Sequence, residues 1–377
     1  MHEAQRNTLL QLFKEAVAAV KGDASVNAWL TANKLHQPTH ILAVGKAASA
    51  MFEGLPSEWR KSVPTYLVTK TGHIGRAIYN GNVTALETSH PLPDKTSLDA
   101  GKGALDFITS CGADSRLLML VSGGASSLVE HLKTGFRYED LEALTSAALT
   151  EGLDIEEINK RRKSISAIKG GGLLASYRGV EVNVLAISDV AGDSIGIIGS
   201  GVGSRPDDAR FTYSCDIVAS NAVARNAIEQ NAKLNGRTVI SNEENMYANV
   251  PEIAAQIANE IINGKPGLYV YGGEPTIILP QNPGRGGRNQ ALALEIARHI
   301  SKRDDIVGLV AGTDGTDGPT DAAGAFLDGE TYLKLPGAEG AQERADSGSY
   351  LAQAGDLIIT GPTGTNVMDL AIFLKHT

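Results

Sequence analysis

The 377-residue sequence predicts an α/β protein of two domains, on three observations. The chain exceeds the roughly 250 to 300 residues at which a single hydrophobic core stops growing. Its composition, 42% hydrophobic and 20% charged, is that of an ordinary folded protein. Five stretches place a short aliphatic run before a glycine, serine or aspartate cluster and then a segment with helical spacing: HILAVGKAASAMFEGL (40–55), RLLMLVSGGASSLVEHL (116–132), NVLAISDVAGDSIG (183–196), GLYVYGGEPTIIL (267–279) and DIVGLVAGTDGTDG (305–318). Aliphatic runs without polar alternation suit strands buried on both faces, as in parallel sheets flanked by helices. In such sheets ligands bind beyond the carboxyl ends of the strands, where all five clusters would lie. A polar stretch, KLNGRTVISNEENMY, separates the early units from the late ones and sets the expected domains at 1–230 and 231–377. The units share architecture and not sequence, so they are no solenoid repeat.

The first element, MHEAQRNTLLQLFKEAVAAVKGD, puts Leu9, Phe13, Ala16, Val17 and Val20 on one helical face and carries Glu15 and Lys21. It reads as an amphipathic core helix and not as a signal peptide. No run reaches the length of a membrane span. Net charge of -9 argues against broad nucleic-acid binding, which depends on basic patches, but leaves room for a local basic cleft and an anionic substrate. Cys111 and Cys215 are the two cysteines, too few for a disulfide framework or a cysteine zinc site, and a reducing cytoplasm fits best. Assembly state is left open, with a homodimer as one option.

The clusters carry the chemistry. VSGGASSL (121–128) reads as a strand end, a tight turn and a helix start, which would aim the N–H groups of Gly123, Gly124 and Ala125 at a phosphate between Ser122 and Ser126. The plain alternative is a turn with Ser126 capping a helix. Lys46 follows the first run and would bring an ammonium to the same rim. Lys160, Arg161, Arg162, Lys163 and Lys169 fall within ten residues on an expected helix; since they cannot all be buried, most must face water or an anion such as phosphate. Asp189, directly after the third run, could accept a hydroxyl proton or bind magnesium, or serve as a turn aspartate. Arg288, in GRGGRNQALALEIA (284–297), puts a cation at a helix N-terminus against the macrodipole and so asks for an anionic partner: a substrate or phosphoryl group, or a neighbouring acid such as Glu295. The loop GLVAGTDGTDGPTDAAGA (308–325) does not follow EF-hand spacing, and its Asp314 and Asp317 suit magnesium held through nucleotide phosphates. No GxxxxGK[ST] occurs, nor a GxGxxG between strand and helix, which weakens a nicotinamide reading. The eight histidines, His73 and His90 among them, show no metal-ligand spacing and read as structural.

In chain order, the segments VGKAASAM, HPLPD, SGGASSL, DIEEINKRRKSISAIKGGGLLA, ISDVAGD, GGEPT, GRGGRNQ, GTDGTDGPTDAAGA and TGPTGTNVMDL span nearly the whole sequence, and with them it resembles the class II glycerate 2-kinases. That resemblance implies a Rossmann-like three-layer α/β/α N-terminal domain, a smaller α/β MOFRL domain and an active site in the interdomain cleft. It implies transfer of the γ-phosphoryl group of ATP to the 2-hydroxyl of D-glycerate with magnesium. The family's prominent lysine falls on Lys46 and its prominent arginine on Arg288; on the reading of the residues above, Asp189 would complete the catalytic set, Ser122 to Ser126 (Ser122, Gly123, Gly124, Ala125 and Ser126) and Lys163 would hold the nucleotide, and Asp314 and Asp317 would hold the metal. Two segments depart from the family: Ser200, Gly201, Val202 and Gly203 stand where it tends to read Ser-Gly-Pro-Thr, and Ser89 stands where it usually has glycine. The rival activities are a hydroxypyruvate reductase, a label carried by relatives of the family, and a noncatalytic anion-binding protein.

Overall fold

The computed structural model describes residues 3–75, 82–151 and 155–377, with the helical stretches 145–151 and 155–159 described by backbone alone. The chain forms two compact units, each with its own six-stranded sheet. One holds Lys21–Ser220 with Gly364–Asn366; the other holds Met1–Val20, Asn221–Thr363 and Val367–Thr377.

In the first unit the strands are β1 (His40–Val44), β2 (Thr65–Lys70), β3 (Val83–Thr88), β4 (Arg116–Val121), β5 (Glu181–Ile187) and β6 (Thr212–Ala219). They pair in the order β3-β2-β1-β4-β5-β6, all parallel. β1, β4 and β5 are buried almost throughout, as their unbroken aliphatic runs require. Between β3 and β4 runs the helix Lys95–Thr109, started by a capping box in which the Asp94 carboxylate accepts from the N–H of Thr96 (2.9 Å) and Ser97 (3.3 Å). Its buried face, Ala100, Ala104 and Ile108, joins the core formed by Leu42, Val44, Leu117 and Met119. The strand order reverses between β1 and β4. In open α/β sheets such a switch point is where a crevice forms at the strand ends, because the chain leaves the two neighbours in opposite directions.

The second unit contains β7 (Val239–Met246), β8 (Gly267–Gly273), β9 (Ile306–Gly312), β10 (Gly324–Asp328), β11 (Leu357–Ile358) and β12 (Asp369–Lys375), ordered β11-β10-β9-β12-β8-β7. Only β7 and β8 pair in parallel; β12 lies antiparallel between β8 and β9. The fourth and fifth aliphatic runs are therefore buried strands as expected, but they sit in a mixed sheet. Neither leads directly into a helix: Thr276 makes an isolated bridge after β8, and β10 follows β9.

The division differs from the expected 1–230 and 231–377 in two respects. It falls at Ser220/Asn221, and the N-terminal helix Glu3–Ala19 joins the C-terminal unit. The reason is in its contacts. Its buried residues Leu9, Leu12, Phe13, Ala16 and Val17 pack toward β9, β12 and the helix Asn221–Leu234. Arg6 then pins it by ion pairs to Asp328 (2.9 Å) and Asp356 (2.6 Å). No described helix is long and apolar enough to cross a membrane, and both cysteines are free.

Candidate active site

The loops leaving β1 and β4 are laced together at the switch point. Ser122 N–H donates to Val44 O (3.0 Å), Lys46 N–H to Gly123 O (2.9 Å), and Ala47 N–H to the Ser122 hydroxyl (3.0 Å). The expected ligand contact of Ser122 is thereby corrected: its side chain is buried and holds one loop to the other. Gly123 and Gly124 are required for a different reason. A Cβ on Gly123 would collide with the Asp189 carboxylate. One on Gly124, whose φ is +82°, would lie 3.0 Å from Lys46 Cγ and 3.1 Å from the His90 ring. Four chemical groups thus meet across two glycines: the Lys46 stem, the Asp189 carboxylate, the His90 imidazole and the peptide N–H groups of 123–125. Among the described residues, those three N–H groups have no hydrogen-bond acceptor and the Lys46 ammonium has no ion-pair partner.

The helix that follows, Ala125–Leu128, is a single turn, so its macrodipole is too short to supply the expected anion binding, and free peptide N–H groups are what remain. Ser126 does not cap it. Its hydroxyl pairs with that of Ser200 (2.8 Å), in the loop that departs from the family's Ser-Gly-Pro-Thr, and Gly199 of that loop is packed against Ala125. Ser200 has φ of +57°, a conformation that costs a non-glycine residue energy and is held by Gly170 and Gly171, whose N–H groups donate to Ser200 O and Gly201 O (2.9 Å each). Lys163 Nζ donates to Gly196 O (2.9 Å), which ties the basic helix Ile155–Ile165 to the same loop. Lys169 turns inward, buried in an ion pair with Glu130, whose other oxygen accepts from the Ser166 hydroxyl (2.5 Å). Burial lowers the Lys169 pKa and the Glu130 charge opposes it. Glu156 and Glu157, which precede the basic run, lie outside the described side chains.

The second unit assembles its own charged cluster. Arg288 opens the helix Arg288–His299, and its anionic partners are inside the protein: Nε donates to Asp369 Oδ2 (2.7 Å) and NH1 pairs with Glu274 Oε1 (2.7 Å). Burial alone would lower the Arg288 pKa, but Asp369 and then Glu274 outweigh it and raise it. The side chain stays 34% exposed. Glu295, the acid expected beside it, binds Arg298 and Gln342 instead.

Asp317 is corrected. It is 3% exposed, and both carboxylate oxygens accept from the start of the same helix, Asn289 N–H (3.1 Å) and Gln290 N–H (2.8 Å). It caps a helix whose own N-cap, Gly287, has no side chain to do so, which removes it from the metal set. Asp314 remains half-buried, with Oδ1 accepting from Thr316 N–H (3.0 Å) and Oδ2 without a hydrogen-bond partner among the described residues. Among the described residues no three histidines, cysteines or acids are grouped to hold a metal ion.

Burial pushes Asp317 up to about 7, with the charge of Asp369 adding to it and the two N–H bonds and Arg288 opposing. A carboxyl raised in the folded state contributes stability that is complete below the ordinary carboxylate range and is lost as pH rises through about 7. The difference in thermal midpoint between the parent and Asp317→Asn is therefore expected to shrink from pH 5 to pH 8. A difference independent of pH would remove this reading.

The expected site residues thus fall into two sets, Lys46, Ser122–Ser126, Lys163 and Asp189 on one unit and Arg288, Asp314 and Asp317 on the other. Residues 8–234 match the family model described as a domain of unknown function, DUF4147, and residues 267–369 match the MOFRL family. The chain is 33% identical to D-glycerate 2-kinase of Thermotoga maritima over 99% of both chains. The chain belongs to the glycerate 2-kinase family. Within the family it is also 32% identical to glycerate 2-kinase of Pyrococcus horikoshii, over 88% of this chain and 86% of that one. A crystal structure of glycerate kinase from Thermotoga maritima superposes with a TM-score of 0.87 at 30% identity, covering 99% of this chain and 100% of that one. The two-domain α/β reading and the family resemblance are borne out. His90, expected to be structural, has its ring against Gly124, a placement that one histidine in HPLPD does not announce by any periodic or spacing signal.

Proposed function

We propose that the protein is an ATP-dependent kinase that phosphorylates the 2-hydroxyl of D-glycerate. The observation that carries the reading is the Lys46 stem packed at Gly124, with no ion-pair partner for its ammonium and no acceptor for three neighbouring peptide N–H groups among the described residues, in a chain related along its full length to D-glycerate 2-kinase. Such a cradle suits phosphate or carboxylate oxygens. In the proposed reaction the substrate hydroxyl oxygen bonds to the γ-phosphorus, the bond from that phosphorus to the β–γ bridging oxygen breaks, and ADP leaves. Asp189, held against Gly123, orients the hydroxyl and takes its proton. Lys46 and the peptide N–H groups balance charge on the transferring group. Arg288 is assigned the same kind of work through its exposed face. Magnesium fits as an ion that keeps its waters and phosphate ligands and needs one or two carboxylates; Asp314 is the one proposed, and the metal would supply neutralisation of phosphate charge.

Incubation with MgATP and D-glycerate is expected to release ADP in step with formation of 2-phosphoglycerate, read by phosphorus NMR, and incubation with NADH and hydroxypyruvate is expected to leave NADH unoxidised. NADH oxidation without ADP release would replace the kinase by an oxidoreductase. Ligand binding with no ADP from any small hydroxy acid would leave an anion-binding protein.

A further inference from the structure

Beside Lys46 the first unit places groups that the mechanism above does not use. Lys70 ends β2, directly beside the Lys46 loop, and His73 follows it in the turn after β2. His90 follows β3, whose end is tied down by the Thr88 hydroxyl donating to Leu128 O (2.9 Å). The imidazole then lies against Gly124, on the same side as the Lys46 stem. Among the described residues the His90 ring nitrogens have no hydrogen-bond partner, and neither Lys46 nor Lys70 has an ion-pair partner. Glu87 is the nearest acid on β3, and it is committed elsewhere, accepting from the N–H groups of Gly72 (2.9 Å) and Ile74 (3.1 Å). Two ammonium groups and an imidazole without partners among the described residues thus lie at one edge of these strand ends.

We propose that His90 is a ligand-binding residue of an anion subsite formed with Lys46 and Lys70, its ring N–H donating to a carboxylate or phosphate oxygen of a bound substrate. The inference rests on the proposed kinase reading for the identity of that substrate, and on the geometry of this unit for the subsite itself. A neutral imidazole is the suitable donor here, since it contributes a directed hydrogen bond without a third full charge. Burial, reinforced by Lys46, Lys70 and His73, holds the ring neutral by lowering its pKa to about 4. Binding an anion must then raise that pKa, because the ligand offsets the repulsion from the two lysines.

The test has two arms. In steady-state kinetics, His90→Asn is expected to raise the KM of one substrate by about tenfold or more, the effect of losing a hydrogen bond to a charged group, while kcat changes by less. A rise confined to D-glycerate identifies the carboxylate as the occupant, and a rise confined to ATP identifies a phosphate. In NMR on histidine-labelled protein, with the His90 resonance assigned by its disappearance in His90→Asn, the ring is expected to stay neutral at pH 6 in the free protein. Its pKa is expected to rise on adding D-glycerate or inorganic phosphate, and to rise without ligand in Lys70→Met. Should His90→Asn fail to fold, His90→Gln supplies both the assignment and the kinetics. An unaltered KM for both substrates, or a His90 signal indifferent to both anions, overturns the subsite. Absence of any kinase activity overturns the proposed function alone, because the response to inorganic phosphate needs no turnover.

Discussion

Replacing Lys46 by methionine is expected to lower kcat/KM for phosphoryl transfer by about 10²- to 10³-fold, the usual loss when one electrostatic stabiliser of the transition state is removed. The fold is expected to survive intact, and the reason is local. Lys46 has no intramolecular ion pair among the described residues, and what packs is its aliphatic stem, with Cγ facing Gly124. Methionine keeps an unbranched stem of similar length and deletes only the charge. The peptide of Lys46 also survives, so the N–H bond to Gly123 O and the Ala47 bond to Ser122 still join the two loops. Arginine should recover little of the loss, because a planar fork cannot occupy the place of a compact ammonium beside Gly124. Circular dichroism melts run beside ADP-release assays separate the outcomes. Parental turnover in Lys46→Met would place the phosphoryl charge elsewhere; loss of turnover together with the melt would make Lys46 a packing residue.

How much of this could be read from the chain follows from what kind of information each residue holds. β1, β4, β5, β8 and β9 were legible because an unbroken aliphatic run has few fates other than a strand covered on both faces, and the glycines after them mark where the backbone must turn. Direction is a different matter. DLAIFLK reads the same for either orientation, so nothing local announces that β12 runs antiparallel between β8 and β9. The amphipathic pattern of Glu3–Ala19 likewise specifies a buried face without specifying which unit covers it. That Lys46, Asp189, Gly123 and Gly124 lie together was legible because the ends of neighbouring parallel strands converge by topology. Asp317 was misread because an aspartate in a glycine-rich loop looks the same whether it meets a cation or a helix end. Its partners, the N–H groups of Asn289 and Gln290, stand 28 and 27 residues away, and the acid that satisfies Arg288 stands 81 residues away. Long-range electrostatic pairing of this kind leaves no periodic trace.

That pairing also changes what Arg288→Ala should do. Removal of the guanidinium strands Asp369, which is 2% exposed, and breaking a buried ion pair from one side typically costs about 3 to 5 kcal/mol. A steep drop in the melting temperature is therefore expected along with loss of turnover, and the single variant cannot separate a catalytic arginine from a structural one. The double variant Arg288→Ala/Asp369→Asn can. Neutralising residue 369 removes the buried uncompensated carboxylate, so most of the lost stability is expected to return. Burial already raises the Asp369 pKa against the pull of Arg288, so its charge is costly as soon as that pull is gone. If turnover in the restored protein stays at least about 10²-fold below the parent, Arg288 acts on the transferring group itself. If turnover returns with the fold, its part ends at holding Asp369 and Glu274, and an Arg288→Ala that melts like the parent would show that the pair contributes no stability.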